Sequence, residues 1–126
     1  PLSRDAAGED AFGVFREGAE KIGIALKSIR SKVVIATKTT QRDAKGAADH
    51  IDLSLRQLQT DWIDVYQLHN VSNEEALNHV LAPQGAYEAV SKARDAGKIR
   101  CIGISSHSIW RRWTPMFGQP DGWDKL

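Results

Sequence analysis

The sequence predicts an α/β fold with a parallel sheet covered by helices, and three observations carry the prediction. Three short runs rich in apolar and β-branched residues, "KVVIATK", "WIDVYQLH" and "IRCIGIS", show little of the strict alternation of half-exposed strands. The stretches between them place apolar residues at helical spacing. A strand, helix, strand, helix, strand order makes neighbouring strands parallel, since each connection is a crossover carrying a helix.

The elements follow in order. Residues 19–30 set Ile22, Leu26 and Ile29 on one face beside Ala19 and Ala25, which predicts a short helix. Residues 32–38 predict a fully buried first strand, bounded by Lys32 and Lys38. Helical spacing returns over 43–59 through Ala47, Ile51, Leu55 and Leu58, with Asp43 as the N-cap. The second strand is 62–69. A short helix over 74–81 is cut by Pro83, and a stronger one over 84–96 puts Ala86, Tyr87, Val90 and Ala93 on one side. Gly97 suits the position where a left-handed residue ends a helix. The third strand is 99–105.

Units of about 30 to 35 residues match the length of a strand-helix repeat. A complete eight-unit barrel takes roughly 250 residues, so this chain of 126 predicts a partial (β/α)8 TIM barrel, about half of one. The whole chain, 1–126, reads as a single domain with a core at 19–108 and irregular ends at 1–18 and 109–126. The first end carries Gly8, Gly13 and Gly18 with little periodicity, and the second crowds three of the four Trp residues among Pro115, Gly118, Pro120 and Gly122. No internal repeat or low-complexity tract separates them.

Composition excludes several classes of function. With 17 basic against 16 acidic side chains, no overall field draws the protein to nucleic acid or a membrane surface. The "WRRW" of residues 110–113 is therefore expected to be an apolar cover rather than a stacking platform. The one cysteine, Cys101, has no partner for an internal disulfide or a thiolate metal site, so no metal and a reducing cytoplasmic setting are expected. Cys101 itself is expected as a small buried hydrophobe in the third strand. Apolar runs are too short to cross a bilayer, and no charged-then-apolar leader precedes them.

Parallel α/β folds bind ligands beyond the C-terminal ends of their strands. That rule selects Lys38, His69 and Ser105, the polar residues that close the three strands. Singly, each has a plain explanation as a snorkelling charge or a structural hydrogen-bonder. Together they form a cation, an imidazole and a hydroxyl converging on one rim. Asn70 and His107 lie near enough to line a substrate pocket, whereas His50 and His79 fall on helices and are expected to be solvated.

"VVIATK", then "SLRQLQTDWIDVYQLHN", then "GKIRCIGISSHS" resembles the middle of the aldo-keto reductase family, over residues 19 to 108. The phrase read on Asp61, Asp64, Tyr66, Gln67, Leu68 and His69 is the most specific part, and the "SSHS" exit is similar to that of one branch of the family. The resemblance implies that the three strands are strands 3 to 5 of the barrel and that the activity is reduction of small aldehydes or ketones by NADPH or NADH. It further implies a Tyr proton donor whose pKa is lowered by a Lys held by an Asp, and a neutral His that donates a hydrogen bond to the carbonyl oxygen. Lys38 matches that Lys and His69 that His. Ser105 matches the Ser that holds the nicotinamide carboxamide, and Ser106 stands where many members have Asn. Counting back from Glu20-Lys21-Ile22-Gly23, "DAFGVF" matches the Asp and Tyr, so Asp10 is the Asp and Phe15 occupies the Tyr position without a hydroxyl.

A positioned acid is worth ~10² to 10⁴-fold in rate, so weak or absent activity is expected of this chain alone. The alternative is a non-catalytic half-barrel module, closed along its exposed edges by a second copy or by a missing C-terminal half.

Overall fold

The computed structural model describes residues 18–107. The predicted irregular ends apart from Gly18, together with Asp10, Phe15 and the "WRRW" segment, lie outside the described residues. Residues 18–26 form α1, which runs into a 3-10 turn over Lys27–Lys32. Then follow β1 (Ala36–Thr39), α2 (Ala44–Leu58), β2 (Ile63–Leu68), α3 (Glu74–Leu81), α4 (Ala86–Asp95) and β3 (Ile99–Ile104). The three strands form one parallel sheet in the order β1-β2-β3, with Thr37 beside Tyr66 and Tyr66 beside Ile102.

The pleat sorts side chains onto two faces. Tyr66 and Leu68 of β2 are fully buried toward the helices, where they meet Ala47 and Ile51 of α2 and Ala86 and Val90 of α4 in one core. The opposite face, with Ala36, Lys38, Val65, Gln67, Cys101 and Gly103 in register, carries no helix and is open to solvent to varying degrees.

That open face corrects two expectations. The first strand is not fully buried: Val34 is 77 % exposed, and Ala36 and Lys38 are exposed as well. Cys101 points to the same side and is exposed rather than a core residue. The strand also begins four residues later than predicted, because Lys32 still belongs to the 3-10 turn and Arg30 Nη1 donates to the Val33 carbonyl at 3.0 Å, holding that residue out of the ladder. On α4, Tyr87 is 42 % exposed, and Ala89 takes its place in the buried stripe.

Local chemistry explains the helix ends. The Asp43 carboxylate accepts the Gly46 N–H at 2.7 Å, as an N-cap should, a contribution of about 1 kcal/mol. Asn73 caps α3 in the same way through the Ala76 N–H. Gly97 follows α4 at φ 81°, the left-handed conformation its sequence position predicted. The starts of α2 and α4 are stitched together: Ala44 N–H donates to the Gln84 carbonyl at 2.7 Å and Ala86 N–H to the Arg42 carbonyl at 2.8 Å. A side chain at Gly85 would run into the carbonyls of His79, Val80 and Ala82, so this junction requires glycine.

At the opposite end of the strands, Arg30 organises a buried polar knot. Its guanidinium donates to Asp64 Oδ2 at 2.7 Å, Thr60 Oγ1 at 2.8 Å and the Trp62 carbonyl at 2.8 Å, and lies 4.3 Å from the Trp62 ring centre. Asp64 Oδ2 also accepts the Ile35 N–H at 2.9 Å. Burial works against the ionised carboxylate, but the Ile35 N–H and Arg30 outweigh it, and Asp64 stays below the usual carboxylate range.

Candidate active site

The rim at the C-terminal strand ends is built by ladder bonds that continue one residue past each strand. His69 N–H donates to the Thr39 carbonyl at 2.9 Å, and Ser105 N–H to the Leu68 carbonyl at 3.0 Å. His69 and Ser105 are thereby fixed on adjacent strands, and His69 Nδ1 lies 2.6 Å from Ser105 Oγ. Lys38 sits inside β1 rather than at its end, on the same face as Gln67 and next to the His69 ring. It makes no hydrogen bond or ion pair to another described residue.

Beyond His69 the chain turns sharply through Asn70, which adopts φ 56°. Asparagine tolerates that left-handed conformation better than most residues. Three groups hold the turn. Asn70 N–H donates to Ser105 Oγ at 3.0 Å, and Ser72 Oγ donates to Asn70 Oδ1 at 2.7 Å. Arg42 reaches across from the loop before α2, donating from Nη1 to the His69 carbonyl at 2.9 Å and from Nη2 to the Asn70 carbonyl at 3.0 Å. Ser72 in turn accepts the His107 N–H at 2.9 Å, which brings the segment after β3 to the same corner. Ser106 Oγ lies 3.4 Å from Ser72 Oγ.

Five of the expected site residues, His69, Asn70, Ser105, Ser106 and His107, are thus joined in one network. Lys38 faces the same rim, and Asp10 and Phe15 fall outside the described residues. Sequence reading missed Arg42 and Ser72. Arg42 had one usable signal, a second cation just after Lys38, but nothing in its spacing announced that it would clamp a turn far away in sequence.

Electrostatics favour a neutral imidazole. Burial lowers the His69 pKa below 6.5, and the Lys38, His107 and Arg42 charges push the same way. A cavity of about 680 Å³ opens beside it, lined by Ile22 and Leu26 of α1, Lys38, His50 and Leu53 of α2, and His69. His50 is not the solvated residue expected: its Nδ1 meets Thr39 Oγ1 at 3.0 Å. His79 is exposed, as expected.

Tyr66 takes no part in the rim. It is fully buried on the helix-facing side, and desolvation pushes its phenol up to about 12, with the Thr39 and Ser54 hydroxyls pulling the other way. Among the described residues no group of three His, Cys, Asp or Glu is placed to hold a metal ion. No described helix is long and apolar enough to cross a membrane.

The residues present suit a bound amide at this rim. With the Asn70 N–H on one lone pair, Ser105 Oγ keeps acceptor capacity for the NH₂ of a carboxamide, and Ser106 stands beside it.

The chain is 37 % identical over 112 residues to the aldo-keto reductase YhdN of Bacillus subtilis, covering 79 % of this chain and 31 % of that one. It is 38 % identical over 92 residues to the methylglyoxal reductase YeaE of Escherichia coli, covering 71 % and 30 %. The chain thus spans about a third of the length of the curated relatives it matches. Among solved structures, the aldo-keto reductase of Klebsiella pneumoniae in complex with NADPH superposes with a TM-score of 0.64 at 29 % identity, over 82 % of this chain and 34 % of that one. The apo form of a Bacillus halodurans aldo-keto reductase gives 0.57 at 34 % identity, over 71 % and 28 %. The parallel sheet and its helices are part of an α/β barrel of this kind. The Aldo/keto reductase family matches residues 14–114, and the chain belongs to it.

Proposed function

We propose that the chain forms the carbonyl-holding wall of an NADP(H)-dependent reductase of small aldehydes or ketones, and that with Phe15 in place its own turnover is weak. The observation that carries this reading is the convergence of Lys38, His69 and Ser105 on one rim, with Lys38 and His69 lining the same cavity. NADP(H) is favoured over NAD(H) because the Klebsiella pneumoniae relative was solved with NADPH and the Schizosaccharomyces pombe relative is named for NADP(+).

Held at the rim through Ser105 and Ser106, a nicotinamide would supply the hydride needed at the carbonyl carbon. The chain's own residues bind and polarise the carbonyl. Neutral His69 donates a hydrogen bond to the carbonyl oxygen and so stabilises the negative charge that develops there. Lys38 provides a cation beside the place of the proton donor, and Asp10 would hold Lys38. Ser105 and Ser106 orient the carboxamide, and Asn70 and His107 line the substrate side. The proton that completes the alcohol needs a hydroxyl donor, which Phe15 lacks. A reducing cytoplasmic setting fits a chain whose one cysteine is exposed.

The test is consumption of NADPH by the purified chain with an aromatic aldehyde, followed by loss of NADPH absorbance. The rate is expected to lie ~10² to 10⁴-fold below that of a relative with the Tyr donor. Turnover at the ordinary enzyme scale of about 10 s⁻¹ would overturn it.

A second reading, a non-catalytic module, is favoured by the uncovered sheet face around Val34, Ala36 and Cys101. In this reading a second copy, or the remaining strands of a barrel, covers that face. Light scattering separates the cases: a clean monomer argues against closure by a second copy.

A further inference from the structure

We propose that Ser105 is a positioning residue that acts through His69, its hydroxyl donating to Nδ1 and so fixing the imidazole as the tautomer with its proton on Nε2. The inference rests on the reading of His69 as the hydrogen-bond donor to a carbonyl oxygen.

A serine hydroxyl has one proton and two lone pairs. Asn70 N–H, 3.0 Å from Ser105 Oγ, occupies one lone pair. The other contact is His69 Nδ1 at 2.6 Å, and the Ser105 hydroxyl has no further partner among the described residues. If Nδ1 carried the proton, it would donate to the second lone pair and the Ser105 O–H would be left without a protein acceptor. If Nδ1 is bare, the O–H donates to it and every group is satisfied. A neutral imidazole has one N–H, so the proton then resides on Nε2.

The surroundings keep this arrangement in place. The Asn70 N–H points at Ser105 because the turn is held in its left-handed conformation, with Ser72 on the Asn70 side chain and the Arg42 guanidinium across the His69 and Asn70 carbonyls. The charged groups facing the ring are Lys38 from β1, Arg42 from the loop before α2 and His107 from the segment after β3. All three are basic, so none favours the imidazolium. Nε2 makes no hydrogen bond among the described residues and is the ring atom left to meet a carbonyl oxygen.

The experiment is long-range nitrogen–proton NMR of the full chain with labelled histidines, His69→Gln identifying which of the four sets of signals belongs to His69. The unsubstituted chain is expected to show His69 with Nε2–H alone, titrating below 6.5. In a folded Ser105→Ala a mixture of tautomers is expected, because the hydroxyl that keeps Nδ1 bare is gone. Ser105→Thr should restore the single tautomer. An Nδ1–H signal in the unsubstituted chain overturns the proposal even if the alanine variant does not fold, and so does an unchanged tautomer in a folded Ser105→Ala. If the reductase reading alone fails, NADPH and aldehydes leave the His69 signals unmoved while the tautomer assignment stands.

Discussion

Replacing Arg30 with methionine is expected to destabilise the protein by about 3–5 kcal/mol, the usual result of stripping the partner from a buried charge. Arg30 and Asp64 side chains are each only 10 % exposed, and the guanidinium also donates to Thr60, Val33 and Trp62. Removing it leaves Asp64 with the Ile35 N–H and a looser contact to Arg100 at 3.4 Å. Urea unfolding at neutral pH measures the loss, and a change below about 1 kcal/mol would place the pair among exposed surface bridges instead.

The pH dependence has a definite sign. Asp64 titrates below its ordinary 3.8 in the folded protein, so its contribution is fully present above that value and is lost as the pH falls through the lowered one. In Arg30→Met the buried carboxylate loses its closest cation, and protonating it then relieves the strain. The gap between the two proteins should therefore be widest at neutral pH and narrow under acid.

The second large effect concerns Phe15. In a hybrid where this chain replaces the matching segment of a related reductase, Phe15→Tyr is expected to raise carbonyl turnover by ~10² to 10⁴-fold. Reduction needs a proton on the oxygen as well as a hydride on the carbon, and no described tyrosine lies at the rim. Tyr66, the one other nearby phenol, is sealed behind the sheet and holds its proton until about 12. Equal turnover of the two hybrids, both folded and both binding NADPH, would remove Phe15 from the proton-donor position.

The legible part of this protein was what period and punctuation specify. Asp43 capping α2, Gly97 ending α4 and the parallel order of three strands all follow from local rules that the finished fold obeys. His69 and Ser105 were found by asking what closes each strand, and the parallel register brings them to 2.6 Å. The misreadings share one cause. Apolar content alone does not say which sheet face is covered, so Val34, Ala36 and Cys101 read as core although they lie on the helix-free side. Arg42 escaped because its role is written in tertiary geometry: it meets the carbonyls of His69 and Asn70, which any residue types would have presented.

Arg42 is also tied at its other end. Its own carbonyl accepts the Ala86 N–H at the start of α4, while its side chain grips the turn after His69. One residue is therefore both a rivet of the helix layer and a brace of the turn after His69. That corner cannot loosen like an ordinary surface loop; opening it means prising apart the N-termini of α2 and α4, so the histidine's pose inherits the rigidity of the packed helices beneath it.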